Sequence, residues 1–420
     1  MAVTSVVAGF DRQRLLRLAD WLAVAVAVTL PWSTTATGIC IALWLIATLA
    51  TIDIAALRRE LAAAAGLLPV LLWVLAAVGM LWADVSWAER FAGLNKFHRL
   101  LLIPLLFMQF RRSGNGIWVL HGFMASVVAL LVVSWGLALI PGLPWRGRFV
   151  GVPTKDYIFQ SANFLICAYA LLGCASEAAR SRLWRWAAGY IAVAVLFLAN
   201  IFFVVGSRTA FVVAPVLLLL LGWREFGWKG LLGTGLLGII LGVAVWFGSP
   251  YAHERLVISM QEFQQYRTRD APNSTGLHIE FMRKGLAFIE TAPIIGHGTG
   301  SIPEQFREAT VGEGEGASSR LSANPHNQIL AVGVQLGLVG AVVLVAMWIA
   351  HVLLFHGGGL AAWFGLIVVV ENIASSLLNS HLFDFTSGWL YVFGVGIIGG
   401  MVLRETDPAQ TSAARPVLVS

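Results

Sequence analysis

Hydrophobic runs alternate with short polar turns along almost the whole chain. They recur from Trp21 to Leu403, and most are roughly 17 to 25 residues long, enough for a helix to cross a hydrocarbon core of about 30 Å. A transmembrane β-barrel would instead show short segments of alternating polarity. The pattern therefore predicts an all-α integral membrane protein with about twelve transmembrane helices.

One long polar interval, Tyr251–Asn327, interrupts this pattern. It divides the chain into an N-terminal bundle of about nine spans over residues 1–250, the interval itself over residues 251–327, and about three spans over residues 328–404. Residues 405–420 form a short tail. We expect the interval to be a loop or lid that carries the catalytic chemistry.

Two amphipathic helices are predicted inside the interval, because apolar residues recur there at helical spacing. The first apolar stripe consists of Leu256, Met260 and Phe263. The second consists of Ile279, Met282, Leu286 and Ile289, with Glu280 and Lys284 predicted on its polar side. Pro293 ends the second helix, and Gly296–Gly300 follows as a turn.

Composition supports membrane insertion and argues against nucleic-acid binding. Only 12% of the 420 residues are charged and the mean hydropathy is +0.79, whereas soluble domains are about 25% charged. The net charge is +6, but the basic residues are scattered between apolar runs and form no basic face. The three cysteines show no metal-ligand spacing and are interpreted as packing residues.

The short basic turns predict the orientation of the chain. Basic residues near positions 12–17, 58–59, 111–112, 180–185 and 224–229 all fall on one face when the spans alternate. The positive-inside rule makes that face cytoplasmic, together with both termini. The polar interval then lies on the opposite face, where further arginines suggest an anionic ligand.

His326 is the sharpest catalytic candidate. Asn324 is predicted to cap the helix that begins near Gln328, with Pro325 in its first turn, so that His326 lies at an electropositive helix end. Such a position lowers the pKa of an imidazole and keeps it neutral, as a general base requires. The alternative is a capping or interfacial histidine without chemistry.

Arginines near the same face are candidates for binding phosphate. Arg208 stands alone between two apolar runs, where an arginine either binds an anion or snorkels to the interface. Arg146, Arg148 and Arg283 are further candidates, because guanidinium groups match phosphate oxygens. No metal-ligand spacing occurs near the interval, so no metal is expected. His381 and Asp384 lie in the last loop on this face and are interpreted as a polar loop.

Several motifs together resemble the bacterial O-antigen ligases and the related O-antigen polymerases. They occur in the C-terminal half of the chain: Gly206-Ser207-Arg208-Thr209-Ala210, Glu280 to Lys284 leading to Ala292 through Gly300, and Asn324-Pro325-His326-Asn327. His326 corresponds to the family's essential histidine and Arg208 to its arginine after Gly-Ser. The chain departs from the pattern at His278, where many relatives have an arginine. Phe281 stands for the usual aromatic residue of the family's Glu-x-Trp-like segment.

The resemblance implies an inverting glycosyltransferase on the periplasmic face of the bacterial inner membrane. Its donor would be an undecaprenyl diphosphate-linked polysaccharide and its acceptor lipid A-core, with no cofactor. His326 would be the base and Arg208, helped by Arg146, Arg148 or Arg283, would stabilise the diphosphate. Asn327, His278 and Gly298 would support this site.

Two alternatives remain open from the sequence. One is a polymerase that joins repeat units on the lipid carrier. The other, from a different class, is a transporter of lipid-linked sugar, which would favour charged or broken helices in the middle of the membrane. The charged residues gather at the two faces instead, with Glu371 and Asn372 as the main exceptions.

Overall fold

The structure is a computed structural model that describes residues 11–140, 142, 145, 149–154 and 156–406. Helices make up 77% of it, and these residues contain no strand. In chain order the α-helices are α1 (Arg12–Thr29), α2 (Thr34–Ala50), α3 (Ile54–Leu61), α4 (Ala64–Gly79), α5 (Trp87–Asn95), α6 (Leu102–Phe110), α7 (Gly116–Leu139), α8 (Tyr157–Arg180), α9 (Trp184–Phe203), α10 (Arg208–Gly248), α11 (Pro250–Arg269), α12 (Ser274–Thr291), α13 (Ile302–Glu308), α14 (Gln328–Leu354), α15 (Leu360–Ser376) and α16 (Phe385–Glu405). The all-α prediction is confirmed.

Six of the described helices are long and apolar enough to cross a membrane, namely α7, α8, α9, α10, α14 and α16. The bent pairs α2–α3 and α5–α6 raise the number to eight if each pair is one span. To reach the predicted count of about twelve from eight, α1, α4 and α15 must each cross as well and α10 must cross twice. That count stays a prediction.

The long helix α10 is broken at Gly227, where the backbone leaves helical geometry at φ 60° and ψ −141°. Its two halves pack against each other, since a Cβ on Gly222 would lie 2.6 Å from the carbonyl oxygen of Gly230. Gly235 similarly faces Leu219 and Gly238 faces Leu218. These pairings describe an antiparallel helical hairpin, as the two predicted apolar runs require.

Helix α8 connects the two faces of the protein. It has 24 residues, which correspond to about 36 Å at 1.5 Å per residue. At its C-terminal end Arg180 pairs with Glu225, and nearby Arg224 donates to the carbonyl oxygen of Gly359 at 3.2 Å. At its other end Tyr157 meets the polar interval, so the basic turn after α8 and the polar interval lie on opposite faces.

Helix α14 is broken at Gly337, and a turn of the polar interval forms hydrogen bonds with the backbone groups that the break leaves free. The amide nitrogens of His297 and Gly298 donate to the carbonyl oxygens of Val334 and Gln335, both at 2.9 Å. Leu338 N–H donates in turn to Pro293 O at 2.8 Å. Backbone groups freed in an apolar helix must find such partners. The exchange fixes the end of the interval onto α14.

Both amphipathic helices predicted in the interval are present, as α11 and α12, and in α12 the side that carries Glu280 and Lys284 is the buried one. Its buried residues are Gly276, Glu280, Phe281, Lys284, Gly285 and Phe288, while Leu286 of the predicted apolar stripe is 55% exposed. Burial of Glu280 is possible because Tyr266 donates to it at 2.8 Å. Lys284 donates to the carbonyl oxygens of Ala309 and Ser318. Loop carbonyls, which a helical wheel ignores, therefore decide the orientation.

Candidate active site

His326 lies just before α14, in a left-handed conformation with φ 53°. Asn327 is the N-cap of the helix, because its Oδ1 accepts from the amide nitrogens of Ile329 at 2.9 Å and Leu330 at 3.1 Å. The prediction that Asn324 caps this helix was wrong. Asn324 instead holds the turn, since its Oδ1 accepts from His326 N–H at 2.9 Å. His326 therefore stands outside the helix, with its ring free to meet other segments.

Asn379 forms a hydrogen bond with the ring of His326. This residue lies in the loop between α15 and α16, and its Oδ1 is 3.1 Å from His326 Nδ1. Asn324 Nδ2 donates to the same oxygen at 2.9 Å. Asn379 was not among the predicted site residues, unlike His381 and Asp384, which were considered in the same loop. No pattern in the chain links positions 326 and 379, because only the packing of α14 beside α15 brings them together.

His278 on α12 stacks on His326. The ring centroids are 4.0 Å apart with an interplanar angle of 17°, and Phe281 continues the stack at 5.8 Å from His326. Burial lowers the pKa of His278 to about 4, with further contributions from the positive charges of His326 and Arg208. His278 is therefore neutral at physiological pH.

Burial also lowers the pKa of His326, while the bond to Asn379 and the charge of Asp384 oppose the shift. The direction agrees with the prediction from the sequence. The cause does not, because the leading effect is desolvation rather than the electric field of a helix end. A neutral imidazole at pH 7 has the protonation state that a general base needs.

Arg208 is the first residue of α10 and is held by the polar interval. Its Nη2 donates to Glu262 Oε2 at 2.9 Å and its Nη1 to Thr275 Oγ1 at 2.9 Å. Its Nε is buried and has no hydrogen-bond partner among the described residues. Because the charges of Arg208 and His326 both act on His278, the arginine and the candidate base belong to one cluster.

Glu262 on α11 organises the Arg208 side of this cluster. Burial by itself would raise its pKa, but hydrogen bonds from Thr275 and the charge of Arg208 outweigh burial and lower it. The carboxylate also accepts from Thr275 N–H at 3.1 Å, at the start of α12. Glu262 thus ties α10, α11 and α12 together at the site. Glu262 was not among the candidates predicted from the sequence.

Arg255 is a second arginine that the sequence analysis did not select. It lies on α11, two helical turns before Glu262, with its guanidinium carbon 5.7 Å from the centre of the Tyr157 ring. Its Nε is buried and unpartnered among the described residues. Arg255 as a whole is half-buried, and a buried donor without a partner is costly unless a ligand completes it. In the sequence, Arg255 is recognisable only as an isolated arginine near the start of the interval.

The other predicted arginines are placed differently. Arg283 is 62% exposed and forms a forked ion pair with Glu280, with Nε to Oε2 at 2.9 Å and Nη2 to Oε1 at 2.6 Å. Arg146 and Arg148 lie outside the described residues. Their role in donor binding stays a prediction from the sequence.

Gly298 supports the fold next to the site. It adopts φ +90°, and a Cβ at this position would lie 2.4 Å from the Cα of Ala83. The neighbouring Thr299 N–H donates to Gly79 O at 3.0 Å, and its hydroxyl donates to Ala76 O at 2.6 Å. The glycine turn therefore joins α4 to α14, and its role is to pack the interval.

An apolar groove opens beside the Arg208 cluster. It has a volume of about 820 Å³ and is lined mainly by Trp246 at the end of α10 and by the exposed apolar stripe of α11, including Leu256, Met260 and Phe263. Thr275, which binds both Arg208 and Glu262, also lines this groove. The groove therefore reaches a residue that contacts the arginine.

Further polar groups lie near His326. Among the described residues, no group of three His, Cys, Asp or Glu side chains is arranged to hold a metal ion. His381 Nδ1 lies 3.1 Å from Asp384 Oδ2 behind His326, and both act electrostatically on His326. The site thus combines a neutral imidazole with arginines that have unused donors.

Residues 192–345 match the protein family described as O-antigen ligase. The matched segment contains Arg208, Glu262, His278 and His326 and ends before Asn379. No curated protein matches the chain.

Proposed function

We propose that this protein, which the match over residues 192–345 assigns to the O-antigen ligase family, is a glycosyltransferase. It moves O-antigen polysaccharide from undecaprenyl diphosphate to a terminal sugar of lipid A-core. The observation that carries the proposal is that His278 stacks on His326 and is also affected by the charge of Arg208. A base and a phosphate-binding cation side by side suit transfer from a sugar diphosphate.

The reaction needs a base and a stabiliser of the leaving group. His326 accepts the proton of the acceptor hydroxyl as its oxygen attacks the anomeric carbon of the donor sugar. The new carbon–oxygen bond forms while the bond to the diphosphate breaks, and the diphosphate leaves with the electron pair. Attack from the face opposite the diphosphate inverts the anomeric centre.

Arg208 and Arg255 stabilise the charge that develops on the diphosphate. Each has a buried Nε without a partner among the described residues, and Arg208 already holds its geometry through Glu262 and Thr275. Preorganised guanidinium groups lose little entropy when they bind phosphate. They supply the positive charge for which other enzymes use a metal ion.

The apolar groove beside Thr275 suits the polyprenyl chain of the donor. A lipid chain in this groove would bring its diphosphate to Arg208 and leave the sugar pointing towards His326. Membrane lipids surround the apolar helices. The site then lies on the periplasmic face of the bacterial inner membrane, with both termini in the cytoplasm.

The test is transfer in vitro with purified protein, undecaprenyl diphosphate-linked polysaccharide and lipid A-core. His326→Ala should reduce the rate by about 10²–10⁴-fold and Arg208→Ala by about 10²–10³-fold. Arg182→Ala, an exposed arginine at the opposite face, is the matched control and should transfer normally. Transfer should persist in EDTA. Full activity of both site variants would overturn the proposal.

Lipopolysaccharide profiling of cells that lack the protein separates the ligase from its alternatives. Loss of a ligase leaves long polymer on undecaprenyl diphosphate, whereas loss of a polymerase leaves single repeat units. Movement of labelled lipid-linked sugar across vesicles, without transfer to an acceptor, would instead indicate a transporter. The expected result is accumulated long polymer and unmodified lipid A-core.

A further inference from the structure

The side-chain oxygen of Asn379 accepts three hydrogen bonds. The donors are Ser380 N–H at 2.9 Å, Asn324 Nδ2 at 2.9 Å and His326 Nδ1 at 3.1 Å. A backbone N–H can only donate, so the atom that faces Ser380 must be the amide oxygen of Asn379. The nitrogen of His326 that meets this oxygen must therefore carry a hydrogen atom.

Asn324 fixes the same assignment independently. Its Oδ1 accepts from His326 N–H at 2.9 Å and from the Ser380 hydroxyl at 2.6 Å. Its Nδ2 consequently faces Asn379 as a donor. Reversing either amide would set two donors against each other, which a partly buried network does not tolerate.

The loop that carries Asn379 is anchored on three sides. Asn327 Nδ2 donates to Leu377 O at 3.0 Å, and Leu382 N–H donates to Gln328 Oε1 at 3.0 Å. Buried Arg99 donates to Phe383 O at 3.3 Å and also to the carbonyl oxygen of Asp384. Asn379 is thus held against the start of α14, where His326 lies.

We infer that Asn379 is a positioning residue, which holds His326 as the Nδ1–H tautomer and leaves Nε2 as the atom that accepts the acceptor's proton. This inference rests on the proposed function. The hydrogen bond to one ring nitrogen determines which nitrogen is free for chemistry. Because the amide is uncharged, it orients the ring and raises the pKa of His326 less than a carboxylate would.

The charged and titratable groups around His326 come from several elements. His278 faces it from α12, with Arg208 of α10 and Glu262 of α11 behind His278. His381 and Asp384 face it from the loop after α15. Asn379 contacts the ring directly, so a charge placed at this position should dominate the response of His326 to pH.

The decisive variant is Asn379→Asp, because a carboxylate accepts the same three hydrogen bonds and adds a negative charge beside Nδ1. An opposite charge at this distance raises the pKa of an imidazole by about 1–3 units. A base must be neutral, so the acid limb of kcat/KM for in vitro transfer should move to higher pH by about one unit or more. Asn95→Asp, at an exposed position on α5, is the charge-matched control and should leave the acid limb in place.

A second variant, Asn379→Ala, removes the oxygen and frees the tautomer. It should lower kcat by about 10–100-fold, as expected when a base loses its orienting partner, without moving the acid limb to higher pH. The inference is overturned if Asn379→Asp keeps the wild-type acid limb or if Asn379→Ala keeps the wild-type kcat, while His326→Ala is inactive. Full activity of His326→Ala would instead overturn the proposed function itself.

Discussion

His278 and His326 form a stacked pair of imidazoles at the centre of the site, 4.0 Å apart. Because the pKa of His278 falls to about 4 and that of His326 is also lowered, both rings are neutral at pH 7. Neutrality of His278 matters, since a cation stacked there would oppose the proton that His326 must take up. The charge of the side chain at position 278 therefore affects how readily His326 takes up a proton.

The variant His278→Arg should move the acid limb of kcat/KM to lower pH. A permanent positive charge beside His326 disfavours the imidazolium and lowers its pKa further, so the base stays neutral in more acidic buffer. The measurement is the pH profile of transfer from pH 4 to 8. His278→Gln, uncharged at every pH, provides the reference profile. An acid limb at unchanged or higher pH would show that His326 is not the titrating base.

At the scale of single elements, α14 illustrates how a loop completes a helix. Gly337 has φ 63°, and a Cβ there would lie 2.2 Å from the carbonyl oxygen of Ile294. The break places Asn327 and His326 at the start of one short helical segment. The turn at residues 293–298 takes over its freed backbone bonds.

The variant Gly337→Ala should lower the Tm of the purified protein. A non-glycine residue in the left-handed region costs about 1–2 kcal/mol, and the clash with Ile294 adds to this cost. Gly357→Ala is the matched control, because a Cβ at Gly357 meets nothing within 4 Å. Thermal unfolding in detergent measures the difference. Equal Tm values for both variants would contradict the role assigned to the break.

The orientation of α12 depends on the groups around it. Its sequence offers an apolar stripe through Leu286 and a polar side with Glu280 and Lys284, yet the polar side is the buried one. Tyr266, Arg283 and the carbonyl oxygens of the following loop satisfy the two charges. Helical periodicity predicted that the helix exists but not the direction in which it faces.

The whole molecule presents two faces, separated by the length of α8. One face carries Arg180, Glu225 and the exposed Ser181. The other carries Arg208, α11 and His326. The positive-inside rule applied to the basic turns predicts that the first face is cytoplasmic, and the proposed transfer of an exported glycan predicts that the second face is periplasmic.

Cysteine labelling tests this orientation in a variant that lacks Cys40, Cys167 and Cys174. Gln261→Cys, exposed on α11, should react with a membrane-impermeant maleimide in cells whose outer membrane alone is permeabilised. Ser181→Cys should react only after the inner membrane is opened as well. The opposite pattern would place the site in the cytoplasm.

The sequence by itself determined the all-α membrane class, the polar interval, the start of α14 near Gln328, and Arg208 and His326 as candidates. These follow from local rules, since hydropathy and turn residues act over neighbouring positions. Only the tertiary structure decided which groups surround those candidates. Glu262 and Arg255 lie on α11 and Asn379 lies in the loop after α15, and Asn379 meets His326 across 53 positions of the chain. Such contacts depend on helix packing and on the pairing of buried polar groups, and one-dimensional periodicity records neither.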